Sequence, residues 1–266
     1  MIETERQERP RAVVLACAGA GGHGGDFDAW AGVWAARGIV TRALDLPGCG
    51  RRKDEPLGPA PGADGEVRAA LAEARTAARG APVIGVGESI GALILLHEAA
   101  SNPESVFDGL VLAAPAFATP GKVPPGRAAK ILIFSALGFR GPIDFTGPVD
   151  RLTADPARQK QIAEDPRRSR AFPARYLVAT RRLQRTAMAA AARVRCPMLI
   201  LWGEQDRVAS FSEIRRLLAL VPAGRRQLLV LPDERHQLTL GIRRLETAGA
   251  VANWMDERVI RPSRDA

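Results

Sequence analysis

The stretch GVGESIGALILL, residues 85–96, follows the apolar run Ala81–Ile84 and places Ser89 between two glycines. The β-branched residues before it predict a buried strand, and the alanine- and leucine-rich residues after it predict a helix. Side chains at Gly87 and Gly91 would collide with the neighbouring strand and helix, so the turn needs glycine at both positions. The stretch therefore predicts a strand, a sharp turn and a helix, with the hydroxyl of Ser89 raised at the turn.

The same alternation of apolar runs and amphipathic stretches continues along the chain. It is typical of parallel strands joined by crossover helices, so the fold class is α/β. The predicted strands are residues 12–17, 40–46, 82–87, 109–115, 197–203 and 227–232, and the predicted helices lie near 26–37, 65–79, 90–101, 211–221 and 240–259. In the last helix, one apolar stripe is predicted to contain Ile242, Leu245, Ala252, Met255 and Val259.

Residues 117–196 interrupt this pattern with proline, glycine and two or three helical stretches. An insertion between two strands of a parallel sheet lies on the rim of the sheet. We therefore expect a core formed by residues 1–116 and 197–266 and a helical cap formed by residues 117–196. The apolar residues of the predicted cap include Ile131, Ile133, Phe134 and Leu137. They either line a cavity over Ser89 or only bury the cap against the sheet, and both interpretations remain open.

The composition argues against several function classes. The net charge is +9, but the arginines are dispersed and only 5% of residues are aromatic, which disfavours nucleic-acid binding. Three distant cysteines indicate neither a disulfide framework nor a metal site. The charged residues 1–11 do not resemble a secretory signal, and no run is long enough to span a bilayer. We expect a cytoplasmic, soluble protein, and the sequence does not predict its oligomeric state.

Candidate residues follow four of the predicted strands, at the ends where ligands gather in an open parallel sheet. A serine hydroxyl needs a histidine to accept its proton and a carboxylate to orient that histidine. Of the three histidines, His236 follows the last strand and is the predicted base, whereas His97 in a helix is predicted to be a packing or surface residue. Glu204 and Asp206 follow the fifth strand, and Asp206 is preferred because it lies deeper in the turn.

The glycine-rich loop after the first strand, residues 18–25, contains His23 and lets the backbone point an amide at an oxyanion. The amides of Ala20 and Ile90 are the predicted donors, the second assisted by the helix dipole. The alternative is a dinucleotide phosphate loop. It is disfavoured because a Gly-x-Gly-x-x-Gly loop of that type must be followed by a ribose-binding acid, whereas the second strand here ends in ALDLPGCG, a loop.

These motifs together resemble the α/β-hydrolase superfamily, and within it the monoacylglycerol lipase and lysophospholipase group. The resemblance covers about residues 12–258 and is carried by the stretches at 18–52, 87–92, 196–210 and 235–238. It implies an α/β-hydrolase fold with a mostly parallel sheet of about six to eight strands and a helical cap before the penultimate strand. The family loop usually begins His-Gly-x-Gly, whereas Ala18 replaces that histidine here.

The short segment before the first strand implies that the amino-terminal hairpin of this fold is shortened or absent. In this respect, and in the loop at residues 46–56, the chain also resembles the small thioesterases that accompany polyketide and peptide synthases. The resemblance therefore implies an esterase or a thioesterase acting on a small-molecule substrate, without metal or organic cofactor. Two alternatives remain. The chain could be a non-catalytic ligand-binding protein, or the same three residues could catalyse another reaction, such as acyl transfer to an alcohol. The arginines of the predicted cap could attract a phosphate-bearing leaving group, but the favoured interpretation is that they form a solvated helix face. They include Arg167, Arg168, Arg170 and Arg175.

Overall fold

A six-stranded parallel sheet forms the centre of the molecule. The computed structural model describes residues 9–58, 65–101, 107–118, 125–139, 141, 143–144 and 147–261. The strands are β1 (Ala12–Cys17), β2 (Ile39–Leu44), β3 (Val83–Glu88), β4 (Gly109–Ala113), β5 (Ile143–Asp144), β6 (Ala171–Phe172), β7 (Met198–Gly203) and β8 (Arg226–Leu231). The sheet has the order β2-β1-β3-β4-β7-β8, while β5 and β6 pair antiparallel outside it. All six strands predicted for the main sheet are confirmed within one or two residues.

The order of the strands reverses between β1 and β3, which are neighbours although β2 lies between them in sequence. Val14 of β1 lies beside both Thr41 of β2 and Ile84 of β3. Crossover connections leave to opposite sides of the sheet at such a point, so a crevice opens at the carboxyl ends of the two strands. The loop after β1 and the turn after β3 both face this crevice.

Helices cover both faces of the sheet. They are α1 (Asp28–Ala35), α2 (Glu66–Ala78), α3 (Ile90–Ser101), α4 (Pro125–Ala136), α5 (Pro156–Glu164), α6 (Ala174–Ala191), α7 (Phe211–Leu220) and α8 (Arg244–Met255). Alternate residues of β1 point to opposite layers: Val13 belongs to the core cluster that contains residues of α2, α3 and α7, and Val14 belongs to the cluster that contains residues of α1 and α8. Central strands are buried on both faces, which explains their continuous apolar sequences.

The stripe predicted for the last helix is only partly correct. Ala252 and Met255 are buried, but Ile242 and Leu245 are 46% and 56% exposed. The helix begins at Arg244 rather than at residue 240, so Ile242 precedes it, and the continuous buried face begins at Thr247 and Ala248. Residues 256–260 form a π-helical turn, which changes the phase of the last residues relative to a regular α-helix.

The segment between β4 and β7 contains the three helices α4, α5 and α6, in agreement with the helical pattern of residues 117–196. We call residues 117–196 the inserted segment. Its last helix, α6, packs against α3 through Ala187, Ala190 and Ala191, which belong to the same core cluster as the α3 leucines. His97 of α3 hydrogen-bonds through Nε2 to the carbonyl oxygen of Leu183, at 3.0 Å, so it is the packing histidine that the sequence predicts.

Three further predictions concern the amino-terminal hairpin, membrane-spanning helices and the cysteines. The shortened amino-terminal hairpin falls largely on residues 1–8, which lie outside the described residues. Among the helices that the structure describes, none combines the length and apolarity needed to cross a bilayer. All three cysteines are free, and burial raises the pKa values of Cys17 and Cys196 to about 12.

Candidate active site

Ser89 occupies the turn between β3 and α3 with a backbone φ of 55°, a conformation that side chains rarely adopt. Both flanking glycines are sterically required. A Cβ atom on Gly87 would overlap the backbone of Ala92, and one on Gly91 would overlap the carbonyl oxygen of Cys17 in β1. The close approach of strand and helix therefore holds Ser89 in the strained turn that the Gly-x-Ser-x-Gly pattern predicts.

The imidazole of His236 lies between the hydroxyl of Ser89 and the carboxylate of Asp206. Its Nε2 atom is 2.8 Å from Ser89 Oγ, and its Nδ1 atom is 2.8 Å from Asp206 Oδ2. The histidine and aspartate side chains are 5% and 0% exposed, whereas Ser89 is half-buried. An Nδ1–H that donates to the carboxylate leaves the Nε2 lone pair directed at the serine hydroxyl, which is the arrangement of a general base.

Asp206 is held by the turn that follows β7. Its Oδ1 atom accepts hydrogen bonds from the backbone N–H groups of Val208, at 2.7 Å, and Ala209, at 3.0 Å. These bonds leave Oδ2 for His236. The alternative acid, Glu204, is exposed to solvent at the start of the same turn. The structure therefore brings Asp206, and not Glu204, to the histidine.

The loop after β1 lies directly against the serine. A Cβ atom on Gly19 would be 3.1 Å from Ser89 Cβ, so glycine permits this close approach. Ala20 and Ile90, the two predicted amide donors, both line the cavity that contains Ser89 and His236. Ile90 is the first residue of α3, and the first N–H groups of a helix have no acceptor within the helix.

His23 connects this loop to the inserted segment. Its Nδ1 atom accepts a hydrogen bond from the Gly25 N–H at 3.1 Å, so Nε2 carries the hydrogen and donates to Asp165 Oδ2 at 2.9 Å. Hydrogen bonds from Arg167, acting against the effect of burial, hold the pKa of Asp165 well below its usual range. His23 therefore supports the glycine-rich loop through both of its ring nitrogens.

Asp26, which the sequence analysis did not single out, connects three parts of the site. Its carboxylate forms an ion pair with Arg168 of the inserted segment and accepts a hydrogen bond from Gln237 Nε2 at 3.2 Å. Burial raises the pKa of Asp26, against the opposing effect of Arg168. Asp26 lies three residues after His23 and completes a capping box with it, a spacing that the sequence does contain.

Glu88, the residue before the serine, is a second buried carboxyl group. Its two oxygens accept hydrogen bonds from the backbone N–H of Thr239, at 3.0 Å, and from the Thr239 hydroxyl, at 2.8 Å. Burial raises its pKa to about 7, the Thr239 hydrogen bonds oppose this, and nearby Asp26 adds to it. Glu88 thereby joins the turn of Ser89 to the loop of His236.

A cavity of about 1280 Å³ opens over Ser89 and His236, between the sheet and the inserted segment. Its apolar lining includes Ile131, Leu132, Leu152, Phe172 and Leu177. Of the four apolar residues considered as a lining, Ile131 reaches the cavity. Ile133 and Leu137 are instead 56% and 77% exposed, and Phe134 packs against Phe139. The lining interpretation is thus wrong for three of the four, although Leu132 of the same helix lines the cavity beside Ile131.

The four arginines considered as anion ligands have different environments. Arg167 pairs with Asp165, Arg168 pairs with Asp26, and Arg170 donates to the carbonyl oxygens of Ile162 and Ala163. Arg175 is half-buried. Arg167 and Arg170 are exposed, as a solvated face requires, whereas the Arg168 side chain is largely buried in its ion pair with Asp26.

No group of three or more histidine, cysteine, aspartate or glutamate side chains within the described ranges is arranged to hold a metal ion. The acid after β2 also has an internal role. Asp45 accepts hydrogen bonds from the Gly24 N–H at 2.7 Å and from Arg51, so it fixes the glycine-rich loop rather than facing a ligand.

Comparison with known proteins gives matches that cover nearly the whole chain. A family model described as serine aminopeptidase, S33, matches residues 8–241. The monoacylglycerol lipase of Paleococcus ferrophilus superposes with a TM-score of 0.79 at 21% identity, covering 92% of this chain and 95% of that one. A soluble variant of the monoglyceride lipase of Saccharomyces cerevisiae gives 0.77 at 17% identity, with 96% and 89% covered.

A thermostable carboxyl esterase from Bacillus coagulans gives a TM-score of 0.74 at 18% identity, covering 95% of this chain and 92% of that one. At these identities the likeness concerns the fold. It confirms the predicted architecture of a mostly parallel sheet with flanking helices.

Proposed function

The chain belongs to the serine aminopeptidase, S33, family of α/β-hydrolases. We propose that it cleaves carboxylic esters of hydrophobic acyl groups through an acyl-enzyme on Ser89. The observation that carries the proposal is the continuous hydrogen-bonded series from Ser89 through His236 to Asp206. A hydroxyl, an imidazole and a carboxylate in this order form the machinery of serine hydrolases.

In the proposed acylation step, Ser89 Oγ attacks the carbonyl carbon of the substrate while His236 Nε2 accepts the hydroxyl proton. Asp206 balances the imidazolium that forms and keeps its ring oriented. The tetrahedral intermediate collapses, the bond to the leaving group breaks, and the leaving group takes the proton from Nε2. The acyl group then remains on Ser89.

Deacylation repeats these steps with water. His236 Nε2 accepts a proton from the attacking water molecule and returns it to Ser89 Oγ, and the carboxylic acid is released. In both halves of the reaction the amides of Ala20 and Ile90 stabilise the oxyanion, an effect of about 3 to 4 kcal/mol per donor in known enzymes. No metal or organic cofactor takes part in this mechanism.

The inserted segment is proposed to act as a helical cap, residues 117–196, on a core of residues 1–116 and 197–266. The support for this is the cavity between them, whose walls include Ile131 of α4 and Leu177 of α6 together with Ser89. Apolar walls suit a hydrophobic acyl chain. Because the same machinery also cleaves thioesters, a thioesterase acting on acyl-coenzyme A or carrier-bound acyl chains is the alternative function.

Labelling with a fluorophosphonate tests the nucleophile. We expect covalent modification at Ser89, located by mass spectrometry of the digested protein, together with hydrolysis of short p-nitrophenyl esters. Ser89→Ala should abolish both. Ser212→Ala, which removes an exposed serine of α7, is the matched control and should retain both. A folded wild-type protein that neither reacts with the probe nor hydrolyses esters would support a non-catalytic binding function instead.

The rates of hydrolysis of acyl-coenzyme A and of monoacylglycerol, measured with the same acyl chains, then distinguish a thioesterase function from an esterase function. The preferred substrate class is the one with the higher kcat/KM. The length of the preferred acyl chain reports how much of the cavity the acyl group fills.

A further inference from the structure

One stretch of the chain carries positive charge without any negative charge. Residues 166–203 contain nine arginines and no aspartate, glutamate or lysine, a local excess equal to the net charge of +9 of the whole chain. The stretch includes β6, α6 and β7. Although arginines occur along the whole sequence, those in this stretch have no acidic residue among their sequence neighbours.

Three of these arginines lie on α6 and line the catalytic cavity: Arg181, Arg182 and Arg185. All three are exposed. Arg181 donates to Gln184 Oε1 at 3.2 Å, and within the described part of the chain no carboxylate forms an ion pair with any of the three. They differ in this respect from Arg167 and Arg168, which are paired.

The cavity has no acid that would balance this charge. Within the described residues, Glu88 is the single acid in its lining, and both of its oxygens are occupied by Thr239. A guanidinium stays protonated at all working pH values and binds phosphate or carboxylate oxygens with two parallel N–H groups. The mouth of the cavity thus presents unpaired cations beside the apolar walls that lead to Ser89.

We propose that the substrate carries an anionic group, a phosphate or a carboxylate, that binds Arg181, Arg182 and Arg185 while the scissile carbonyl lies at Ser89. The inference rests on the proposed function and names its substrate class: an amphipathic anionic ester or thioester rather than a neutral lipid. The apolar walls receive the hydrocarbon part, and α6 receives the charge. Positive potential at a cleft also raises the rate at which anionic ligands enter it.

Two pairs of substrates test this proposal and distinguish the position of the charge. Butanoyl-coenzyme A is compared with the neutral thioester S-butanoyl-N-acetylcysteamine, which places the charge in the leaving group. The p-nitrophenyl monoester of glutaric acid is compared with p-nitrophenyl butanoate, which places the charge in the acyl group. For at least one pair, kcat/KM should be about tenfold higher for the anionic member at low salt, the size of effect expected from a few exposed ion pairs.

The double variant Arg181→Gln/Arg185→Gln should bring that ratio close to one, and added salt should lower it in the wild type. Arg193→Gln is the matched control, because Arg193 follows α6 in the same acid-free stretch but does not line the cavity. It should leave the ratio unchanged. Circular dichroism and thermal unfolding of each variant establish that it is folded.

Neutral substrates cleaved at least as well as their anionic partners in both pairs would overturn the inference but not the proposed function. An anionic preference that survives in the double variant would also overturn it. If the double variant instead loses only its affinity for vesicles with anionic lipids, the arginines serve a membrane surface and not the substrate. Absence of cleavage in all four substrates, without labelling of Ser89, contradicts the proposed function and the inference together.

Discussion

The guanidinium of Arg168 forms an ion pair with the carboxylate of Asp26, and the two side chains are only 9% and 2% exposed. Arg168 belongs to the inserted segment, whereas Asp26 belongs to the turn after β1. Because Asp26 also accepts a hydrogen bond from Gln237, the residue after His236, one buried carboxylate joins the inserted segment to both loops of the candidate site. The inserted segment is thus part of the support of the site.

Arg168→Gln should be strongly destabilising, because it leaves the Asp26 carboxylate buried without its cation. Removal of one partner of a buried ion pair costs about 3–5 kcal/mol in the free energy of unfolding. Urea denaturation at neutral pH measures this loss. The double variant Asp26→Asn/Arg168→Gln should recover part of the stability, because it removes the unpaired charge.

Arg167→Gln is the control for this pair. Arg167 is the neighbouring residue and pairs with Asp165, but its side chain is 55% exposed, so we expect a change of about 1 kcal/mol or less. Equal losses in the two single variants would contradict the special role of the Arg168 ion pair.

Asp206→Asn should reduce kcat about 10⁴-fold while the protein stays folded. An asparagine oxygen can still accept the N–H groups of Val208 and Ala209, but its NH₂ group then faces His236 Nδ1 and favours the wrong tautomer. Steady-state kinetics with a p-nitrophenyl ester measure the loss. Glu204→Gln, in the same turn and exposed, should retain full activity. A loss of less than tenfold in Asp206→Asn would assign the acid to another residue.

Glu88 should make the stability of the protein depend on pH. Its pKa is 4.5 in the unfolded chain and about 7 in the folded protein, so the folded state binds the proton more tightly. The stability that Glu88 contributes is therefore complete below pH 4.5 and is lost as the pH rises through about 7, a change of about 3 kcal/mol.

Glu88→Gln tests this directly, because glutamine can accept from the Thr239 N–H and donate to the Thr239 hydroxyl as a protonated carboxyl does. The free energy of unfolding of the variant relative to the wild type should increase from pH 5 to pH 8. Glu164→Gln, at the end of α5 and exposed, controls for the removal of one surface carboxylate. A difference between Glu88→Gln and wild type that is constant with pH would show that Glu88 is ionised throughout this range.

The sheet and the positions of Ser89, Asp206 and His236 can be predicted from sequence because they depend on local patterns. Apolar runs define the strands, and parallel strands bring their carboxyl ends to one edge. Polar residues in the turns after β3, β7 and β8 therefore lie near one another, whatever the length of chain between them. The preference for Asp206 over Glu204 also follows from local turn geometry.

The supporting contacts cannot be predicted in this way. Arg168 and Asp26 are 142 residues apart, and no periodicity relates a residue of the inserted segment to one of the glycine-rich loop. The same limit applies to α4. Its apolar residues fit a helix, but which of them reach the cavity depends on how α4 packs against α6, and only Ile131 of the four considered does so.

Alanine substitutions at two glycines in helices should have opposite effects on stability. In Gly91→Ala, the new methyl group would overlap the carbonyl oxygens of Cys17 and Ala18, and β1 cannot move away because it is hydrogen-bonded to β2 and β3 on its two sides. We expect a loss of about 1–3 kcal/mol or more in the free energy of unfolding, with reduced activity because α3 carries the turn of Ser89.

Gly249→Ala in α8 is the matched control, because nothing lies within 4 Å of the position where its methyl group would be. Alanine is favoured over glycine inside a helix, so this variant should gain about 0.5–1 kcal/mol and retain activity. Thermal unfolding and ester hydrolysis of both variants measure these effects. If Gly91→Ala were as stable as Gly249→Ala, the close contact between β1 and α3 would not be what holds Ser89 in its turn.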